Sequence, residues 1–215
     1  MVSSKKKYAD KFVGITPDKL ENLEDRHIKV LEILSKLKAE RFLDIGCGDG
    51  NFTVLMAKSL GAKEVYGVDI SEKGVEMARK RGVKAFKVDV DEENLPFNDN
   101  YFDVVTALEV IEHLFDPDHF LEEVYRVLKP NGIFVLSTPN LASIHNRIAL
   151  LFGYQPPAIP ISLTNSLGHL GFVAGGAASD HIRFFTLRSL KELLKIHKFP
   201  NLSYRVVMLC QKRET

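Results

Sequence analysis

Cysteine is scarce in this chain: Cys47 and Cys210 are the only two among 215 residues. Two thiols make no disulfide framework, so a reducing, cytoplasmic setting is expected. No apolar run approaches the ~20 residues that cross a bilayer, and no signal peptide opens the sequence, so no stable membrane insertion is expected. An excess of one charge is lacking too. The 29 basic residues face 28 acidic ones, for a net charge of +1. That balance disfavours nucleic acid as a partner. Lys5-Lys6-Lys7 is a local basic run that reads as a solvated tail. Internal repeats and low-complexity segments are absent, which removes solenoids and linkers from consideration.

What the chain does have is one core's worth of apolar residues, 45 % of the total, arranged as alternating strands and helices. A single domain over 1–215 is expected, with a flexible N-terminus over 1–17. An amphipathic helix spans Asp18 to Leu37, and a buried strand runs from Phe42 to Ile45. Phe52 to Leu60 is helical and stops at Gly61. Glu64 to Asp69 is the second strand, a helix capped by Ser71 runs to Lys80, and Val83 to Val88 is the third strand. Phe102 to Leu108 is the fourth strand. A helix from Asp116-Pro117 to Leu128 follows, then a turn at Pro130-Asn131-Gly132 and a fifth strand from Ile133 to Ser137. This alternation predicts an α/β fold: a doubly wound, mostly parallel sheet with helices on both faces. The regularity breaks after Asn140. Leu141 to Phe152 reads as a further helix, and Gly153 to Asp180 is rich in Pro and Gly. An irregular stretch of that length is more often a lid or binding loop than a connector, so 139–185 is expected to face a substrate. A helix from Leu187 to His197 and a strand from Leu202 to Cys210 complete the reading.

The chemistry gathers at strand tips. Leu43-Asp44-Ile45-Gly46-Cys47-Gly48-Asp49-Gly50 is a strand running into a glycine-rich turn, with a helix N-terminus behind it. Asp69 ends the next strand, where a carboxylate can accept hydrogen bonds from both ribose hydroxyls; a helix cap is the structural alternative. The third glycine of a dinucleotide fingerprint would fall at Asn51 and is missing. Asp44 beneath the turn suits a cationic ligand better than a pyrophosphate. Asp89, with Val90 beside it, closes the third strand and can take an exocyclic amine, or simply cap a turn.

These segments resemble the ordered motifs of class I S-adenosylmethionine-dependent methyltransferases. The glycine turn resembles the first motif, Gly67-Val68-Asp69-Ile70-Ser71 the ribose motif, and Val88-Asp89-Val90 the adenine motif. Phe102 to Leu114 resembles the fourth and Leu128 to Asn140 the fifth. The resemblance implies S-adenosylmethionine as cofactor. It would assign Asp44, Gly46, Cys47, Gly48 and Gly50 to the methionine part, and Asp69 with Ile70 to the ribose. Asp89 and Val90 would take the adenine, with Leu108 lining the site. The implied activity is methyl transfer to a small-molecule, lipid or glycan-like acceptor, on oxygen rather than on a nucleobase amine, because no Asn-Pro-Pro-Tyr type signature follows Leu108.

A hydroxyl acceptor benefits from a base, and Glu109, His113 and His181 are the candidates near the fourth strand tip and the insert. Glu112 lies close by, and His145 and His169 fall in the later segment. Spacing on a helical turn would put Glu109, Glu112 and His113 on one face. The pattern resembles the divalent-metal motif of two methyltransferase groups, with His181 at the place of a further ligand, but it is also a common metal-free form, and no metal is assigned. His181 and Arg183 could meet an anionic or hydroxylated acceptor, and Arg183 could equally only pair with a carboxylate on the surface. Two other functions stay open: a metal-dependent ribose O-methyltransferase acting on RNA, and a cofactor-binding module without turnover.

Overall fold

The computed structural model describes residues 25–156, 159, 161, 167–168 and 181–199. Five parallel strands form its sheet: β1 (Arg41–Ile45), β2 (Glu64–Asp69), β3 (Lys84–Lys87), β4 (Phe102–Leu108) and β5 (Leu128–Ser137), in the order β3-β2-β1-β4-β5. Order reverses between β1 and β4, so connections leave the sheet in opposite directions there and a crevice opens at the carboxyl ends.

Alternation along the strands splits the core. Phe42, Val104 and Val135 face α1 (Asp25–Leu34) and α2 (Asn51–Leu60) through Leu31, Leu34, Leu55 and Met56. Leu43, Ile45, Val105, Ala107, Phe134 and Leu136 face the other way. They pack on α4 (Pro117–Val127) and α6 (Leu187–Ile196) through Phe120, Leu121, Leu190 and Leu194. Next to α2, α3 (Glu72–Lys80) seats Val75 and Ala78 against Val83 and Ala85. The expected doubly wound sheet, with helices on both faces, is what forms.

Several element ends differ from the sequence reading, each for a local reason. The third strand keeps only Lys84–Lys87. Asp116 is not helical: its carboxylate caps α4 by accepting from His119 N–H at 2.9 Å. The turn at 130–132 lies within β5 as a bulge, because Phe102 pairs with Leu128 while Val104 pairs with Ile133. Asn131, at φ +63°, makes that detour. The expected helix at Leu141 starts later, as α5 (Ile144–Leu151), once Asn140 has closed a turn on Ala142 and Ser143. Of the segment expected to face a substrate, the model describes both ends but not the middle. The N-terminal tail, His169 and the strand expected at Leu202 to Cys210 lie outside the described residues. Among the described residues no helix is long and apolar enough to cross a membrane.

Gly50 shows how tightly the crevice is built. It begins α2 at φ +77°, and a Cβ there would sit 2.9 Å from the Ala78 backbone on α3. Left-handed backbone and overpacking act together on any replacement. Gly50→Ala is therefore expected to cost about 2 kcal/mol or more in urea unfolding, whereas Gly61→Ala, with open space around it, should cost only the backbone part.

Candidate active site

The carboxyl ends of β1, β2 and β4, with the tip of β3, frame two adjoining cavities. The larger, about 510 Å³, runs along Asp69, Ile70, Asp89, Val90, Val110 and His113. The smaller, about 260 Å³, lies between α1 and the glycine turn and is lined by Arg26, His27, Asp44, Cys47, Phe52 and Met56. Gly46, Leu108 and Glu109 belong to both. A long ligand with two chemically distinct ends fits such a pair, and the larger cleft is within the ~300–1,000 Å³ of small-molecule sites.

Asp69 makes the capping contacts and keeps its place on the cleft wall. Its Oδ2 accepts from Gly48 N–H at 2.7 Å and its Oδ1 from Ser71 N–H at 2.8 Å, so it ties the glycine turn to the start of α3. Each oxygen keeps a lone pair, and the residue lines the large cleft. Asp89 likewise closes its own turn, accepting from Asp91 N–H at 3.1 Å, while lining the same cleft. Ile70 is an exposed apolar residue at its rim, 64 % accessible.

Asp44 is 4 % accessible and clasped on both oxygens. Thr53 Oγ1 on α2 donates at 2.5 Å and Thr106 Oγ1 on β4 at 2.6 Å. Burial pushes its carboxyl up to about 6, against the pull of the two hydroxyls. Cys47 is held as an inert thiol: burial, then the charges of Asp44 and Asp69, push it up to about 12. Asp49, whose position in the turn carried no separate expectation, accepts from Asn51 N–H at 3.0 Å and pairs with Arg81 at 3.2 Å.

The acceptor-side candidates do not share one face. Glu109 takes a left-handed backbone, φ +58°, so no helical turn begins there. Its side chain receives Arg26 Nη1 at 3.0 Å and Ser137 Oγ at 2.8 Å. Only Ile111–His113 form a 3₁₀ turn, and it sends Glu112 inward, 1 % accessible. Burial and then the Glu109 charge push Glu112 up to about 7; Thr138 and Arg26 pull the other way. His113 meets His181 edge to face at 4.9 Å, and His181 Nε2 lies 3.9 Å from Glu112 Oε1. His145 instead sits on α5, bonded to Ser143.

Arg183 is held by backbone carbonyls. It donates through Nε to the Leu114 carbonyl and through Nη2 to that of Phe115, and so holds its own segment to the turn. Arg26 is the residue the sequence reading passed over. It stands one helical turn before Val30 on the stripe that continues to Leu34, which places it over the smaller cavity.

Residues 43–136 match the family model described as a methyltransferase domain. Residues 43–136 thus form a methyltransferase domain, and the sheet around them has the class I methyltransferase fold. A protein of Mycolicibacterium smegmatis named "Probable S-adenosylmethionine-dependent methyltransferase" is 40 % identical over 176 residues, 78 % of this chain and 64 % of that protein. The 27-O-demethylrifamycin SV methyltransferase of Amycolatopsis mediterranei is 36 % identical over 57 % of this chain and 48 % of its own. Among solved structures, a SAM-dependent methyltransferase of Thermotoga maritima, described as a possible histamine N-methyltransferase, shares 27 % identity. Its TM-score is 0.55, covering 81 % of this chain and 71 % of that one. The chain spans about half to two thirds of the length of the curated relatives it matches.

Methyltransferases of this family use S-adenosylmethionine. The residues present fit it: the strand-tip carboxylates Asp69 and Asp89 line the cleft, and Gly46, which borders both cavities, packs so closely on Val110 that a Cβ there would lie 2.6 Å from it. The clasped Asp44 yields a prediction about stability. Its folded carboxyl titrates near 6 against an ordinary 3.8. The folded state therefore binds this proton more tightly, and the benefit, of order 3 kcal/mol, is lost as pH rises from about 4 through 6. Asp44→Asn should raise the melting temperature of the cofactor-free chain at pH 8 by a few degrees, with the gain vanishing toward pH 4. A variant that melts lower at pH 8 would contradict the charge argument.

Proposed function

We propose that this domain transfers a methyl group from S-adenosylmethionine to an oxygen of a small-molecule, lipid or glycan-like acceptor, in the cytoplasm. The observation that carries the reading is the pair of joined cavities, with carboxylates along one and a cation with two carboxylates at the other. The cofactor, when bound, supplies an electrophilic methyl on a sulfonium.

The chain's own residues do the rest. Asp69 accepts from the ribose hydroxyls, and Asp89 and Val90 border the adenine. Gly46, Cys47, Gly48 and Gly50 shape the turn beneath the methionine part, while Leu108 and Ile70 exclude water along the cleft. Arg26 faces the carboxylate of the amino-acid head; Glu109 and Asp44 offset its ammonium. Glu109 thus joins the cofactor side. The acceptor side falls to His113 and His181, backed by Glu112: an oxygen nucleophile must give up a proton, and these groups lower that cost. Alignment and exclusion of water supply the remaining acceleration. Residues 139–185 are the acceptor-facing part in this reading, supported by the bridge between Asn140 and Phe185 at its base. Oxygen as the accepting atom draws support from the rifamycin relative, whose name states an O-methylation.

Calorimetry with S-adenosylhomocysteine tests the cofactor half. Asp69→Ala should weaken binding by at least tenfold, the scale of losing hydrogen bonds to a charged group. Arg26→Met should weaken S-adenosylhomocysteine but leave 5′-methylthioadenosine, which lacks the amino-acid head, within about twofold. Unchanged affinity in Asp69→Ala would remove the ribose assignment. Transfer of labelled methyl to a panel of hydroxylated and amine acceptors tests the other half, and transfer to amines alone would overturn the oxygen reading.

A further inference from the structure

The helix that follows the sheet is turned inside out. Asn146 is the one buried residue of α5, and its Nδ2 donates to the Asn140 and Leu141 carbonyls at 3.3 and 3.1 Å. On the opposite side Ile144, Arg147, Ile148 and Leu151 recur at the i, i+3, i+4, i+7 spacing of a single face, and Phe152 prolongs it. These apolar side chains stand in the open: Ile144 is 71 % accessible, Ile148 47 %, Leu151 79 % and Phe152 70 %. A surface helix normally buries its apolar stripe and shows its polar one. Here a polar side chain holds the helix to the body, and the apolar face points outward as one contiguous patch.

Charge says what kind of partner fits that patch. The chain has 28 acidic residues, yet none falls between Val124 and Ser179. After Lys129, Arg147 is the one Lys, Arg, Asp or Glu before Asp180. It is exposed on the apolar face itself, and no described carboxylate pairs with it. An apolar protein surface laid over this face would bury the guanidinium without a counter-charge, which is costly. At a bilayer surface the same guanidinium reaches lipid phosphates while its stem lies along the acyl boundary. Tyr154, 40 % accessible just past the helix end, has the apolar body and polar tip suited to that depth. The helix has eight residues, a rise of only about 12 Å, so it can lie in the interface but cannot cross it.

The patch is also close to the chemistry along the chain. β5 ends at Ser137, in the wall of the smaller cavity, and leads through Asn140 straight into α5.

We propose that α5 and Phe152 form a reversible docking surface for a bilayer containing anionic phospholipid, with the apolar face at the acyl boundary and Arg147 at the phosphates. Docking does not depend on the methyltransferase reading. Its consequence does: the acceptor is then of the lipid class, a molecule with an apolar tail that reaches the site from the bilayer rather than from water.

Co-sedimentation of the full chain with vesicles tests the proposal, using phosphatidylcholine alone and phosphatidylcholine with about a third phosphatidylglycerol. The mixed vesicles should bind about fivefold more tightly, the scale of one cation at an anionic surface. Ile148→Glu and Leu151→Glu should each weaken binding to both vesicles at least tenfold, whereas Arg147→Gln should remove only the preference for the mixed ones. All three positions are exposed, so melting curves should match wild type. No vesicle binding overturns the proposal, and so does binding that ignores both glutamate variants, whether Lys5-Lys6-Lys7 or another surface carries it. A preference that survives Arg147→Gln overturns the role of that residue. A dimer in light scattering that Leu151→Glu dissolves, without vesicle binding, would assign the face to a second copy and overturn the bilayer. S-adenosylhomocysteine calorimetry on the same samples keeps the two readings apart: a chain that binds vesicles but not this ligand would end the methyltransferase reading and leave the docking surface standing.

Discussion

The glycine turn is tied to the end of β2 by the Gly48 amide, which donates to Asp69 Oδ2 at 2.7 Å, beside the Gly46 and Cys47 amides, which donate to the Val68 carbonyl. The same carboxylate takes the Ser71 amide that starts α3. A glycine-rich turn has few side chains to hold it, so a partner must come from elsewhere. Asp69 is that partner, and it stays at the cleft wall while doing so. The structural tie and the cleft lining come from the same carboxylate, so the two alternatives for this position are not exclusive. Arg81 adds a second restraint from the end of α3, reaching the Asp49 carbonyl at 3.0 Å and Asn51 Oδ1 at 3.1 Å.

Beneath the turn, Asp44 performs a similar service at higher energetic cost. Through Thr53 and Thr106 it links β1 to α2 and β4, across the point where strand order reverses. An apolar residue there would avoid desolvating a carboxylate. The chain keeps the acid next to a pocket that also holds Arg26 and Glu109. Stability is being given up at a place where a charge is useful, a trade common at functional sites.

Much of this was legible in the sequence. Alternating strand and helix patterns led to the parallel sheet, and Gly46 to Gly50, Asp69 and Asp89 stood out because each falls at a strand tip. What could not be read was how side chains divide between neighbours. Glu109, Glu112 and His113 look like one face at helical spacing, but a left-handed residue at 109 separates the first from the others. Nothing local announces that conformation: Ser137, on a strand 28 positions away, holds the side chain. Arg183 reads as a ligand for an anion, yet it spends its donors on the Leu114 and Phe115 carbonyls. Arg26 was hidden for the opposite reason, as an ordinary charge on a helix whose apolar stripe happens to point at the pocket.

The contact between Asn140 and Phe185, with Leu141 N–H reaching the Phe185 carbonyl at 2.9 Å, has a topological meaning. It brings together the two ends of a 44-residue excursion, so the chain leaves the sheet and returns at one gate. Closing such a loop costs free energy that grows only logarithmically with length, about 0.6 kcal/mol per doubling. The excursion can therefore lengthen, shorten or change sequence with little effect on the sheet, provided the gate stays shut.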